Sequence, residues 1–223
     1  MTQESNSTNY KPVLLELFSG TGSVGRSFRA RGWEVFSVDI DANAKPTLVA
    51  NVLDLQWDAL PPDVDCIWAS PPCTHYSRAR TKTKTPRDLE GSDAIVQKVL
   101  DIIFDYPGAT CWFMENPHSG LLKGREVVAG LPMRVVDYCK YGKPYRKRTA
   151  IWTLTRWEPG QPLCRHDCPA SSGSRHTARA QQGTSSATDV RYSRDELYSI
   201  PPALCDEIAD YATSRYHRGL THS

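Results

Sequence analysis

The chain has 223 residues, 27 Lys and Arg against 25 Asp and Glu, 39% hydrophobic residues and 23% charged ones. That length supports one full core with a small appendage and excludes two large domains, while the apolar fraction stays above the disordered range. No apolar run approaches the roughly 20 residues needed to cross a bilayer, so neither a membrane-spanning nor a fibrous reading is open.

Residues 1–11 read as a loose polar tail without the apolar stretch of a secretory signal. Residues 13–18 are a short apolar run closed by Ser19-Gly20-Thr21-Gly22-Ser23. Val24, Phe28 and Ala30 follow at helical spacing up to Gly32, which makes strand, glycine turn, helix. A second strand covers Val35 to Asp39 and ends in an acid. Cys66 to Ala69 is a third, ended by Ser70-Pro71-Pro72-Cys73. Ile95, Val99, Ile102 and Ile103 form the stripe of a helix over Ser92 to Tyr106. Thr110 to Met114 reads as a buried strand ending at Glu115-Asn116-Pro117. Arg134 to Tyr138 and Thr149 to Leu154 read as a hairpin around Gly142-Lys143-Pro144.

Alternating strands and helices make residues 12–155 one α/β domain with a mostly parallel sheet. Residues 156–190 break the pattern with Pro, Gly, Ser, Arg and His, and are expected to be a small insert with little core of its own. Residues 191–223 are expected to return to the domain through a helix from about Pro201 to Arg215 that shows Leu204, Ile208 and Tyr211 on one face. Seven cysteines at irregular spacing fit a reducing compartment, with thiols free or metal-bound.

In a parallel sheet, ligands bind at the carboxyl ends of strands, where a glycine turn lets backbone N–H groups approach them. Gly20-Thr21-Gly22 occupies that position. Asp39, 19 residues beyond Gly20, can accept hydrogen bonds from ribose hydroxyls, and Phe18 can stack on a base. Without full G-x-G-x-x-G spacing, the pattern favours a single-nucleoside cofactor such as S-adenosylmethionine over a dinucleotide. Two prolines would hold Cys73 at a fixed place above the sheet edge as a candidate nucleophile, its pKa lowered by Arg78, Arg80 or a helix N-terminus. Cys66 and Cys111 lie inside strands and read as small buried hydrophobes. Glu115 ends a strand on the same edge and would be partly desolvated by Trp112 or Phe113, which raises its pKa towards proton sharing.

Cys164-x-His166-x-Cys168, with His176 eight residues later, lies in the coreless segment. A metal staple would stabilise such a segment. Zn2+ favours S and N ligands in a tetrahedral site, so Cys164, Cys168 and His176, with Cys139 as fourth ligand, form a candidate zinc site.

Taken in order over residues 13–155, these pieces resemble the DNA cytosine-5 methyltransferases, especially short versions of phage type. Leu15-Glu16-Leu17-Phe18-Ser19-Gly20-Thr21-Gly22 is similar to the family's first cofactor motif, and Asp39 to its ribose-binding acid. Pro72-Cys73-Thr74-His75-Tyr76-Ser77 is similar to the nucleophile motif Pro-Cys-Gln-x-Phe-Ser, and Glu115-Asn116-Pro117 to Glu-Asn-Val. Tyr141 to Tyr145 resembles the approach to a Gln-x-Arg-x-Arg segment, in which Tyr145, Lys147 and Thr149 take the Gln and Arg positions.

The resemblance implies a Rossmann-like methyltransferase sheet with helices on both faces. It implies S-adenosylmethionine held by Glu16, Phe18, Ser19, Gly20, Thr21, Gly22, Asp39, Asn51 and Pro71. Cys73 would add to C6 of a cytosine turned out of the helix, Glu115 would contact N3 and the exocyclic amine, Asn116 would position the Cys73 loop, and Lys147 would take over a phosphate contact. Ser77, Arg78, Arg80, Lys82, Arg146 and Arg148 would meet the DNA backbone. The family's large target-recognition domain is missing, and only residues 156–190 can replace it. DNA as partner, a monomer, and the cytoplasm of a bacterial or phage-infected cell follow as expectations. The alternatives are an amino-methyltransferase acting on cytosine N4 or adenine N6, which uses Ser/Asp-Pro-Pro-Tyr and has no place for Cys73, cytosine-5 modification of a free nucleotide, and a non-catalytic nucleic-acid-binding protein on the same fold.

Overall fold

A computed structural model of the protein describes residues 10–78, 80, 84–180 and 192–220. The short apolar runs become strands because each buries side chains on both faces of one sheet. In chain order the elements are β1 (Val13–Leu17), α1 (Ser23–Arg29), β2 (Glu34–Asp39), β3 (Leu48–Val49), β4 (Cys66–Ala69), α2 (Leu89–Asp105), β5 (Cys111–Pro117), β6 (Met133–Asp137), β7 (Arg148–Trp152), β8 (Ser171–Ser172), β9 (Arg175–His176), α3 (Arg194–Tyr198) and α4 (Pro202–Leu220). Seven strands form a sheet in the order β3-β2-β1-β4-β5-β7-β6. β1 pairs in parallel with β2 and β4, and β4 with β5, while β7 runs antiparallel to both β5 and β6.

Side chains alternate across the sheet. Leu15, Leu17, Ile67, Ala69, Trp112 and Met114 share one face with Val96, Val99 and Ile103 of α2. Leu14, Cys66, Trp68, Phe113 and Ile151 share the other with Phe28 of α1 and Leu204, Ile208 and Ala212 of α4. Helices therefore cover both faces, as the resemblance implies. Arg31, just beyond α1, clamps α4 by donating to Asp210 at 2.6 and 3.0 Å and to Asp206 at 3.0 Å.

The elements differ from the sequence expectations: β3 and α3 are additional, and the hairpin strands run Met133–Asp137 and Arg148–Trp152. α2 starts three residues earlier than expected because Asp88 caps it, accepting the Gly91 N–H at 2.8 Å. β5 does not end at Met114. β7 supplies antiparallel partners through Glu115↔Ile151 and Asn116↔Ala150, so the strand runs on to Pro117. α4 continues past Arg215, where Tyr216 stacks on Tyr10 and meets Trp33 at a tilt. Finally, residues 156–180 contain a small hairpin, β8–β9, and their buried side chains are divided: Trp157 joins the α4-side core, and Cys164 and Cys168 form a separate cluster with Cys139.

Candidate active site

Strand order decides what meets at the carboxyl edge. β1, β4 and β5 are neighbours, so the turn after β1, the loop after β4 and the end of β5 lie side by side. Phe18 leaves β1 with φ +59°, a left-handed conformation that costs a non-glycine residue roughly 1 kcal/mol or more. Gly20 and Gly22 follow at φ +46° and +64°, which suits their missing Cβ. The Ser19 N–H donates to the Val38 carbonyl at 3.1 Å and the Gly20 N–H to Asp39 Oδ2 at 2.7 Å, locking the turn onto the end of β2. Asp39 Oδ1 accepts the Asp41 N–H at 2.8 Å, so each oxygen keeps a lone pair. Thr21 and Ser23 hydroxyls pair at 2.7 Å, whereas Ser19 Oγ is buried without a partner. Ile40, Val49 and Leu53, next to the ends of β2 and β3, are 69%, 53% and 44% exposed, an apolar shelf beside Asp39. Asn51 caps the turn carrying Leu53, accepting its N–H at 3.2 Å.

Glu16, expected with the cofactor residues, instead lies buried on the α1 face and accepts the Gly25 N–H at 3.1 Å. Burial pushes its carboxyl up to about 7, against the pull of the Gly25 N–H, Arg29 and Arg26. The folded state thus favours the neutral carboxyl relative to the unfolded value of 4.5. This stabilisation is complete below the unfolded pKa and lost as pH rises through the folded one, a difference of about 3 kcal/mol. Glu16→Gln is expected to raise the melting temperature at mildly alkaline pH and leave it unchanged near pH 4.5. Equal shifts at both pH values in thermal denaturation would refute the assignment.

Three anchors hold the Cys73 loop. The Asn116 side chain, fully buried, donates to the Pro71 carbonyl at 2.8 Å. His75 Nδ1 accepts the Asp88 N–H at 2.8 Å, tying the loop to the start of α2. Buried Tyr76 donates to Asp93 at 2.8 Å, and Arg125 holds Asp93 from the other side at 2.5 Å. Asn116→Ala would strand the buried Pro71 carbonyl, at a cost of about 1–3 kcal/mol. Its melting temperature should fall, and its single-turnover rate should fall more than its cofactor affinity. Unchanged values for both would show that the bond does not hold the loop.

Cys73 is partly exposed. Its thiol is not lowered as the sequence suggests. Burial raises its pKa, the Glu115 charge raises it further, and Lys147 opposes both. The expected basic neighbours are engaged elsewhere: Arg78 is exposed, and Arg80 contacts His75 Nδ1 at 2.6 Å and donates to Thr85. Glu115 is raised by burial, with the Lys147 charge, the Tyr138 hydroxyl at 3.3 Å and Ser70 lowering it. Trp112 does not desolvate it, because residues 112 and 115 point to opposite faces of β5. Phe113 shares its face but packs on Trp68, Trp157 and Tyr211. Sequence reasoning missed Tyr138 and Ser70, whose approach no local pattern announces.

Lys147 is turned inward. Its ammonium donates to the Leu197 carbonyl at 3.1 Å and lies 5.1 Å from the Tyr138 ring centroid, near Glu115 and Cys73. Tyr145 and Lys143 both donate to the Glu196 carbonyl, at 2.9 and 3.2 Å, so α3 anchors the whole segment. Arg146 and Arg148, read as DNA contacts, pair with the buried Asp137 at 3.3 and 2.8 Å. Burial alone would raise Asp137, but the Arg148 and Cys164 N–H hydrogen bonds and the Arg146 charge hold it below the usual carboxylate range. Ser77 sits half-buried on the nucleophile loop, and Lys82 lies outside the described residues. Beyond the β6–β7 hairpin, the ligand atoms of Cys139, Cys164, Cys168 and His176 lie within 4.8 Å of one another.

Residues 13–123 match the family described as C-5 cytosine-specific DNA methylase. Over 220 residues the chain is 33% identical to the "Probable DNA (cytosine-5)-methyltransferase" of Frog virus 3 (isolate Goorha), covering 88% of this chain and 98% of that protein. Among solved structures, the Entamoeba histolytica methyltransferase EhMeth superposes with a TM-score of 0.50 at 18% identity, over 69% of this chain and 56% of that one. The S. pombe Dnmt2 methyltransferase gives 0.46 at 17% identity, over 66% of this chain and 53% of that one. The chain spans about half the length of these solved structures, and the first of them shows a shared fold.

Proposed function

This chain belongs to the C-5 cytosine-specific DNA methylases, and on that premise we propose that it moves a methyl group from S-adenosylmethionine to C5 of cytosine in DNA, with Cys73 as nucleophile and Glu115 as its acid partner. The observation that carries this reading is a partly exposed thiol just beyond β4 and a buried carboxyl on the adjacent strand β5, with Asn116 next to that carboxyl tied to the thiol loop through the Pro71 carbonyl at 2.8 Å.

The turn after β1 fits the cofactor. The partnerless Ser19 hydroxyl, the spare lone pairs of Asp39 and the exposed apolar shelf of Ile40, Val49 and Leu53 suit a polar tail, a ribose and an adenine in that order. Phe18, Gly20, Thr21 and Gly22 would line it, with Asn51 and Pro71 at its borders. When bound, S-adenosylmethionine supplies the methyl group as an electrophile.

The chain's own residues prepare the base. A stacked cytosine hides C5 and C6, so the target nucleotide must leave the helix to reach the Cys73 edge. Addition of the Cys73 thiolate to C6 pushes electron density towards N3 and makes C5 nucleophilic. The Glu115 carboxyl, whose pKa burial raises, shares a proton with N3 and relieves that charge. Lys147 stabilises both anionic states, and Asn116 keeps the Cys73 loop in place. Loss of the C5 proton after methylation re-forms the double bond and expels the thiolate. Exposed Arg78 would meet the phosphates, with Arg80, held by His75 and Thr85, bracing the loop beside it, and residues 156–190 would act as a reduced recognition region.

Digestion of DNA incubated with the protein and labelled cofactor, followed by mass spectrometry of the nucleosides, tests the reading. Label in 5-methyldeoxycytidine is expected. Label in N4-methyldeoxycytidine or N6-methyldeoxyadenosine would identify an amino-methyltransferase, label only in added free nucleotide would move the substrate, and binding without label would leave a non-catalytic protein.

A further inference from the structure

The cluster formed by Cys139, Cys164, Cys168 and His176 has no part in the methyl-transfer reading and has no packing explanation. Its three cysteines are 2%, 4% and 6% exposed, yet they form a buried cluster of their own whose one further apolar neighbour is the partly buried Ala170. Three thiols and a methyl group bury too little apolar surface to hold a loop of this length against chain entropy. All three cysteines are free, so no disulfide does it. The donors nevertheless converge. Cys164 Sγ and Cys168 Sγ each lie 3.4 Å from His176 Nε2, and all four ligand atoms fall within 4.8 Å of one another. A tetrahedral zinc ion with Zn–S of about 2.3 Å and Zn–N of about 2.0–2.1 Å places its sulfur and nitrogen ligands roughly 3.6 Å apart. Cys164 and Cys168 already stand near that spacing from His176.

We propose that Cys139, Cys164, Cys168 and His176 bind one structural zinc ion that staples the 164–176 loop to the turn between β6 and β7. Three thiolates and an imidazole match the preference of zinc for sulfur and nitrogen, and a four-donor shell leaves no open position for chemistry. The local architecture is built for it. Cys139 is delivered by the short helical turn after β6, and His176 by β9, folded back on β8 through Gly173 at φ +60°. Ser171 Oγ lies 3.3 Å from Cys168 Sγ, a hydroxyl donor for a thiolate. Lys140, paired with Asp167 at 3.0 Å, and Arg148 stand beside a centre whose net charge would be negative. His166, at φ +67°, has its ring 5.0 Å from that of His176 but no ligand atom among the four that converge.

The staple has a consequence for the site. The Cys164 N–H donates to Asp137 at 3.0 Å, and Asp137 holds Arg148 at the start of β7. Tyr138 and Lys147, both touching the Glu115 region, leave the hairpin on either side of that knot. The metal would therefore fix the tip of the hairpin without approaching the substrate.

The full chain, purified under reducing conditions without chelator, is expected to carry about one zinc per molecule by elemental mass spectrometry. Cys168→Ser and Cys139→Ser should lose it, whereas His166→Ala and Cys111→Ser should keep it. The apo chain titrated anaerobically with Co2+ should show the intense visible bands of a tetrahedral site and a thiolate charge-transfer band. His176→Cys, a four-sulfur variant, should keep the metal with stronger charge transfer, which covers the case where the serine variants do not fold. Absence of metal from the reconstituted full chain, weak octahedral cobalt bands, or unchanged zinc in Cys168→Ser would each overturn the proposal. None of these readouts depends on methyl transfer, so failure here and failure of the proposed activity are separable.

Discussion

Cys73→Ala is expected to lower methyl transfer to cytosine by about 10⁴-fold or more while leaving cofactor binding intact. The size follows from what the thiol does. Without addition at C6, cytosine C5 is a poor nucleophile, and nothing else among the described residues of this edge offers a soft nucleophile: Cys66 and Cys111 are buried inside β4 and β5. Cys73→Ser should be nearly as inactive, because a hydroxyl is hardly ionised at neutral pH and, among the described residues, Lys147 is the one cation acting on the position. DNA containing 5-fluorocytosine, incubated with S-adenosylmethionine, provides the direct measurement. After methyl transfer C5 carries fluorine in place of the proton that elimination must remove, so the thiolate cannot be expelled and the wild-type chain should run as a covalent complex in denaturing gels. Adduct formation by Cys73→Ala would remove Cys73 from the mechanism.

Glu115→Gln is the second large effect, an expected loss of about 10²–10⁴-fold in the methylation rate. Glutamine keeps the volume and a hydrogen bond to the base but has no proton to share with N3. The same substitution should make Cys73 more reactive towards iodoacetamide at neutral pH. The Glu115 charge raises the thiol pKa, so its removal lowers that pKa and increases the thiolate fraction. Lys147→Met should do the reverse, shifting the alkylation profile to higher pH, because Lys147 lowers both groups. Methylation and alkylation of Cys73, read at the level of its own peptide, thus move in opposite directions in Glu115→Gln, and an unchanged melting temperature separates this from unfolding, which would expose all seven free thiols at once. Parallel losses in both assays would show that the two groups are not coupled.

The cofactor turn, the nucleophile loop and the β6–β7 hairpin were legible from local signals. Apolar runs closed by glycine or proline need only neighbouring residues to declare themselves, and Gly20, Asp39, Cys73 and Glu115 each stand directly at the end of such a run or within its last turns. The resemblance to the cytosine-5 methyltransferases rested on those same points, and the chain belongs to that family. What tertiary structure alone decided is how charge is distributed around the thiol. Arg146 and Arg148 looked available for phosphate until Asp137 was seen buried between them. Lys147 looked like a backbone contact until α3, some fifty residues later, presented a carbonyl to its ammonium. Glu115 appeared to end a strand until β7 extended the ladder past it. Each correction has the same cause: hydrogen bonds and ion pairs in a low-dielectric interior join groups far apart in the chain, whereas sequence periodicity reports only which face a residue occupies on its own element.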